Sequence, residues 1–209
     1  MSATRLCIVR HGETAWNAAH RVQGQLDVPL NAAGLAQAEA VARALGGERF
    51  DAIYTSDLQR ARQTAEPLAR LSGLAMEIEP GLRERHYGVF QTHTYAEVKA
   101  RYAEDYARFL ARDPDFAFQT GESLRDFSSR SLEVISRVSR ENQGKNVLVV
   151  THGGVLDELY RFIHRVPVQA PRDFGIPNCG INRLVHEAGA WRIECWAEVG
   201  HLEGALDDI

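Results

Sequence analysis

Three short segments of this 209-residue chain carry side chains that could do chemistry together. Arg10-His11-Gly12-Glu13 follows the apolar run Leu6-Cys7-Ile8-Val9. Ser56-Asp57, with Arg60 one turn later, follows Ala52-Ile53-Tyr54-Thr55. Thr151-His152-Gly153-Gly154 follows Val147-Leu148-Val149-Val150. Alone, His11 or His152 reads as a polar residue at a strand end, and the glycines after it as parts of a tight turn. The conjunction is more specific. Both His follow apolar strands and precede Gly and a helix, and together with Arg10 and Arg60 they concentrate positive charge in a chain of formal net charge −4. The natural guest of such a pocket is a phosphate.

A neutral imidazole nitrogen can attack phosphorus in line and form a phosphohistidine, which divides one difficult displacement into two easier ones. Arg10 and Arg60 can hold the phosphoryl oxygens where negative charge develops, and His152 adds a third contact. Gly12 and Gly153 allow close backbone approach, and helix N-termini after both His favour an anion. Asn17, six residues after His11, can offer its amide to the phosphate. A departing alkoxide needs a proton. Glu84, in Leu82-Arg83-Glu84-Arg85, is a candidate donor, because like charge from a phosphate favours the protonated carboxyl. On spacing alone, however, Glu84 is one of 28 acidic residues, in a solvated loop.

These segments need elements to position them. Strands are predicted at 6–9, 52–55, 75–79 and 147–150, with helices at 31–45, from Ser56 (a capping box with Gln59), from Thr94 to about Ala111, from Ser123, and from the second His to about His164. Pro67 should kink or shorten the helix it falls in. Ala188-Gly189-Ala190 between 181–185 and 191–196 signals a hairpin. Strands alternating with helices imply an α/β fold: three layers, α/β/α, around a mostly parallel sheet, with the hairpin as a candidate antiparallel edge. Ligands bind such sheets outside the carboxyl ends of the strands, which is where the Arg and His segments fall. Without a repeat or linker, 1–209 reads as a single domain, with 200–209 a loose tail.

Composition narrows the class. Apolar residues make up 44% and charged residues 25%, as in folded soluble domains, which excludes a disordered chain. Three Cys exclude a disulfide scaffold, and Cys7 within its apolar run reads as a small buried hydrophobe. The acidic balance argues against nucleic acid as a partner, and no apolar run reaches the ~20 residues of a membrane span. With no secretory signal at the N-terminus, the cytoplasm is the expected location. A homodimer through an edge strand or an exposed helix is left open.

The motifs together resemble the histidine phosphatase superfamily, the phosphoglycerate mutase-like fold. Arg10-His11-Gly12-Glu13-Thr14 with Trp16-Asn17 and Gln23-Gly24, Leu30-Asn31-Ala32-Ala33-Gly34, and Ser56-Asp57-Leu58-Gln59-Arg60-Ala61 with Gln63-Thr64 carry the likeness. So do Leu82-Arg83-Glu84-Arg85 with Tyr87-Gly88, Gly121-Glu122-Ser123 and Val149-Val150-Thr151-His152-Gly153-Gly154. The resemblance covers about residues 5–195. It implies His11 as the phosphorylated nucleophile, Arg10, Arg60 and His152 as the phosphate pocket with Asn17 beside them, and Glu84 as proton donor. Gln23, Gly24 and Tyr87 would line the substrate side, and the substrate would be a small phosphorylated metabolite. The family's hydrolases imply no metal and no organic cofactor.

The family divides into phosphatases and mutases. Mutases that use a bisphosphoglycerate cofactor carry a lysine soon after the acid loop and then an adjacent Arg pair that grips a carboxylate. Here Tyr95 takes the lysine's place, and only Arg108 and Arg112 occur, four apart. These departures favour a metal-independent phosphomonoester hydrolase. A phosphoglycerate mutase is the alternative, and a phosphate-sensing binding module a third reading. Phe90-Gln91-Thr92-His93 departs from the aromatic-acid-Gly pattern of phosphatase members, which leaves substrate identity open and makes His93 a candidate specificity residue or simply an exposed loop His.

Overall fold

In the computed structural model, which describes residues 2–202, the strands β1 (Thr4–Arg10), β2 (Ala52–Thr55), β3 (Met76–Ile78), β4 (Asn146–Thr151), β5 (Ile181–Glu187) and β6 (Ala190–Glu198) form one sheet. Its order is β3-β2-β4-β1-β5-β6. The first four strands in that order run parallel, and β5 and β6 add an antiparallel edge. Ala188 and Gly189 both take positive φ (51° and 81°) between β5 and β6, as a tight two-residue hairpin demands. Among the described residues, no helix is long and apolar enough to cross a membrane.

The period of two in a strand divides the core between the faces. Leu6, Ile8, Ala52, Tyr54, Val147 and Val149 pack with α6 (Leu124–Glu141) and α7 (Gly153–His164). Cys7, Val9, Ile53, Leu148 and Val150 pack on the other face with α2 (Ala32–Leu45) and α3 (Gln59–Ser72). Alternating strands with no polar face are what a sheet covered on both sides requires. Burial pushes the Cys7 thiol up to about 12, as befits a packed hydrophobe. A third cluster gathers Val22, Phe90, Val98, Phe116 and Phe118 with Tyr102, Tyr106 and Phe109. It sits under an insert of short helices, α4 (Tyr95–Arg101) and α5 (Ala103–Leu110). The remaining helix, α1 (Ala15–Ala18), follows the first His segment.

Several sequence expectations change. The helix from Ser56 begins at Gln59, and the Ser56–Gln59 capping box does not form. The Ser56 hydroxyl is drawn to His152 and the Leu58 amide, while Asp27 of a distant loop takes the Gln59 N–H. Pro67 does not end that helix, which runs on to Ser72 and stops at Gly73 in the left-handed conformation. The helix expected from Thr94 to Ala111 is two, because Tyr102 leaves helical geometry (φ −133°, ψ 52°); its capping box of Thr94 and Glu97 does form. In the expected tail, His201 hydrogen-bonds the Cys179 carbonyl and Leu202 packs on the core, so that stretch is anchored; 203–209 lie outside the described residues.

One packing detail ties the fold to the site. The Gly12 Cα faces the Gly34 carbonyl, and a Cβ on Gly34 would collide with the carbonyl of Glu13. The segment after β1 thus lies directly on the first turn of α2, secured by Glu13 N–H to Gln37 Oε1 (2.8 Å) and Asn31 Nδ2 to Glu13 Oε1 (2.6 Å). Gly34→Ala forces those two backbones apart. We expect a loss of about 1–3 kcal/mol, the usual range for overpacking, read as a lower midpoint in thermal unfolding.

Candidate active site

The carboxyl ends of β1, β2 and β4 deliver the predicted residues to one place. Arg10, His11, Arg60 and His152 are 7, 3, 1 and 0% exposed, so the cluster is a buried floor rather than a surface patch. The His11 and His152 rings are 5.1 Å apart between centroids. His11 Nδ1 lies 2.7 Å from the Gly12 carbonyl, which can only accept; Nδ1 therefore carries the proton and Nε2 keeps its lone pair. That is the tautomer a nucleophilic imidazole needs. Asn178 donates Nδ2 to the His11 carbonyl (2.8 Å) and Thr64 accepts the Gly12 N–H (2.9 Å), which fixes the backbone on either side.

His152 is held differently. Its Nε2 lies 2.9 Å from Ser56 Oγ, and Ser56 Oγ already accepts the Leu58 N–H at 3.3 Å. Among the described residues Nε2 is the one acceptor the Ser56 hydroxyl meets, so the Ser56 hydrogen goes to Nε2, and Nδ1–H, buried with no partner, becomes a donor for an incoming oxygen. Arg60 Nη1 and Nη2 donate to the Leu26 and Gly24 carbonyls (2.8 and 2.7 Å), and its Nε has no partner. Burial, tempered by Glu84 and Asp27, brings its pKa down to about 10. Arg10 donates to the Ile176 carbonyl.

Glu84 lies on the N-terminus of α7. Its Oε2 accepts Gly154 N–H (2.9 Å) and its Oε1 the Arg85 N–H (2.8 Å). The acid loop is clamped by Arg130 of α6, whose Nη1 donates to the Gly81 and Arg83 carbonyls (2.7 and 3.0 Å). Its Nε and Nη2 grip both oxygens of Glu122, each at 2.9 Å. Glu122 Oε2 in turn accepts the His86 N–H (2.9 Å). Sequence reading named Glu122 within a motif but missed Arg130, whose position inside an amphipathic helix gives no signal.

A cleft of about 380 Å³ opens above this floor. Arg10, Asn17, Glu84, Tyr87 and Gly153 of the predicted set line it, as does Trp16. Asn17 uses Oδ1 to cap α1 at Thr14, so its amide nitrogen is left for the cleft. Gln23 and Gly24 do not line it. Gly24, at φ 55°, gives its carbonyl to Arg60, and its Cα abuts Gln91, so it builds the floor from behind, and Gln23 is buried. Gln91 Oε1 also accepts the Gln25 N–H (2.9 Å), and Thr92 takes φ 77° where the phosphatase pattern has glycine. His93 does not line the cleft; it bonds the Gln91 carbonyl and Arg101. Sequence reading also missed Asn178 and a charged group farther along the cleft, Arg112, Asp157, Glu158 and Arg161.

Burial, and then the positive charge of Arg60 and Arg10, hold the pKa values of both His11 and His152 well below the usual 6.5, so both rings are neutral in the fold. In the unfolded chain they titrate near 6.5. Below that pH the unfolded state binds more protons, so stability is fully present above 6.5 and lost as pH falls toward the depressed folded values. Each ring contributes up to about 1.4 kcal/mol per pH unit. We expect the urea-unfolding free energy to fall more steeply between pH 6.5 and 5 in the wild type than in His11→Gln/His152→Gln.

The chain matches the histidine phosphatase superfamily (branch 1) over residues 6–199. It is 39% identical to the metal-independent phosphoserine phosphatase of Arabidopsis thaliana, across 95% of this chain and 83% of that one. It is 38% identical to phosphoglycerate mutase-like protein 4 of the same plant, across 95% and 86%. Among solved structures, mycobacterial glucosyl-3-phosphoglycerate phosphatase superposes with a TM-score of 0.82 at 33% identity, covering 94% of this chain and all (100%) of that one.

Proposed function

The chain belongs to the histidine phosphatase superfamily, and from that premise we propose that it hydrolyses phosphomonoesters of small phosphorylated metabolites through a phosphohistidine on His11. The observation that carries this reading is the His11 tautomer: Nδ1–H is committed to the Gly12 carbonyl, and Nε2 is left as a nucleophile among buried cations. Its low pKa keeps that lone pair available into the acid range. The phosphatases named above, one for phosphoserine and one for glucosyl-3-phosphoglycerate, support a substrate of this class.

Arg10 and Arg60 supply the positive charge, and the Nδ1–H of the neutral His152 adds a hydrogen bond, so the steps call on no metal ion. The phosphate sits against these groups and the Asn17 amide. His11 Nε2 bonds to phosphorus as the ester P–O bond breaks, and the Glu84 carboxyl passes its proton to the leaving alkoxide. Water then attacks phosphorus, the Glu84 carboxylate takes its proton, the N–P bond breaks and phosphate leaves. Pinned by two backbone N–H groups at the mouth of the floor, Glu84 is placed to serve both half-reactions.

Hydrolysis is favoured over the mutase alternative by what surrounds the insert. Arg108 is spent on Asp113 at the surface, and Arg112 on Asp157 and Glu158. Among the described residues no adjacent Arg pair faces the cleft, and Tyr95 stands where a mutase lysine would.

Phosphate release from a panel of phosphomonoesters, in EDTA, tests the reading. Wild type should turn over one or more members and His11→Ala none. Turnover surviving in that variant sinks the mechanism. Glu84→Gln should lose about 10²–10⁴-fold in kcat on alkyl phosphates, the usual worth of a general acid. It should lose much less on p-nitrophenyl phosphate, whose leaving group departs without a proton. Equal losses on both would remove Glu84 as the proton donor.

A further inference from the structure

The cleft extends well beyond the phosphate floor. Its volume, about 380 Å³, falls in the range of pockets that enclose whole ligands, ~300–1,000 Å³. Helix α7 forms one wall. Gly153, Asp157 and Arg161 are spaced four apart and share a face. At 1.5 Å per residue they stand along the axis roughly 6 and 12 Å beyond the phosphate end. Helix side chains lean toward the N-terminus, so the Arg161 guanidinium reaches back over the turn between them.

This distal group is a buried ion network that the hydrolytic mechanism does not use. Arg112, which follows α5, crosses to α7 and bonds Asp157 and Glu158, each at 2.8 Å. Arg161 Nε bonds both oxygens of Asp157 at 3.2 Å, and its Nη1 takes the Pro167 and Ala170 carbonyls. Its Nη2 is buried with no hydrogen-bond partner, although Arg161 is only 4% exposed and lines the cleft. A guanidinium N–H left unmatched in such a place is costly unless a ligand completes it. Beside it on the cleft wall, Arg172 makes no ion pair among the described residues.

The sign of the missing group follows from charge. Both carboxylates of the network are already engaged by Arg112 and Arg161, which leaves no unshared acid for a ligand ammonium. The unspent groups are donors on cations, and their complement is an anion. We propose that the distal half of the cleft is an anion subsite in which Arg161 and Arg172 receive a carboxylate at the far end of the phosphorylated substrate. Arg112, Asp157 and Glu158 act as positioning residues that hold Arg161 in place. This rests on the phosphomonoesterase reading for the nature of the substrate, but not for its test.

Binding separates the two. The probes are ω-phosphonoalkanoates with two to eight methylenes, which cannot be hydrolysed, and alkylphosphonates of matching length, measured by titration calorimetry. At one chain length the carboxylated probe should bind about tenfold more tightly than its uncharged match, the worth of one charge-assisted hydrogen bond. Arg172→Ala, an exposed position, should erase most of that margin, and so should Arg161→Lys, checked for folding by circular dichroism. No margin at any length, or a margin that survives in both variants, overturns the subsite. Failure of the wild type to hydrolyse p-nitrophenyl phosphate would instead count against the hydrolase reading and leave the binding comparison standing.

Discussion

Desolvation of positive charge is the constraint on which the rest of this molecule depends. Two guanidinium groups and two imidazoles occupy one buried floor, where like charges repel and bulk solvent has little access. The fold answers in two ways. It keeps both imidazoles neutral, and it lends Arg60 and Arg10 the carbonyls of Gly24, Leu26 and Ile176. In the proposed reaction an arriving phosphate brings opposite charge to these donors, so the apparent stability of the protein should rise with its occupancy. In that reaction the same preorganised donors stabilise charge as it develops on phosphorus, without reorganising at the moment of reaction.

Holding such a floor rigid needs support from elements that never touch it. Arg130 is the clearest case. One side chain of α6 joins the acid loop at Gly81 and Arg83 to the Glu122 segment, so the position of Glu84 is set from behind by five donor contacts. Gly88 and Gly121 let those two segments touch, since a Cβ on either would strike the opposite backbone. Ser56 does the same for His152, through a tautomer rather than a position. Small shifts in these supports would be felt at phosphorus, because a displacement of about 1 Å is enough to spoil in-line geometry.

Much of the fold and site was legible in the sequence, and the physical reasons are particular. The buried strands announce themselves because a sheet covered on both faces leaves no polar alternation, as in Val147-Leu148-Val149-Val150. His11, His152 and Arg10 were legible because each stands at the end of such a strand, and Arg60 because it opens the helix that follows one. The failures share a different cause, tertiary competition for a local group. Ser56 caps nothing in its own helix because His152 competes for its hydroxyl. Tyr102 breaks a helix because its ring is drawn into the aromatic cluster with Phe90. Arg130, Arg161 and Asp157 gave no functional signal, since nothing in a 3.6-residue period tells a solvated guanidinium from one buried against a carboxylate.

The aromatic cluster gives the insert a core of its own, apart from the sheet that carries the floor. In the proposed reaction everything that touches phosphorus comes from strand ends and helix starts anchored in the sheet. By contrast, the wall that faces the rest of the substrate comes from the insert and from α7. Phe109 belongs to both, packing on Phe90 and Phe118 within the insert while lining the cleft. The insert carries its own apolar cluster, so its cleft-facing residues can vary without disturbing the sheet. Its charged bridge to α7, Arg112 on Asp157 and Glu158, sets how far those walls stand apart. Two buried carboxylates holding one guanidinium do not slide as apolar contacts do. Losing the bond to Glu158 would leave that buried carboxylate without its cation, a costly state. In the proposed enzyme the chemistry is thereby fixed by the sheet and the reach of the substrate by the bridge, two features that share α7 as their common wall.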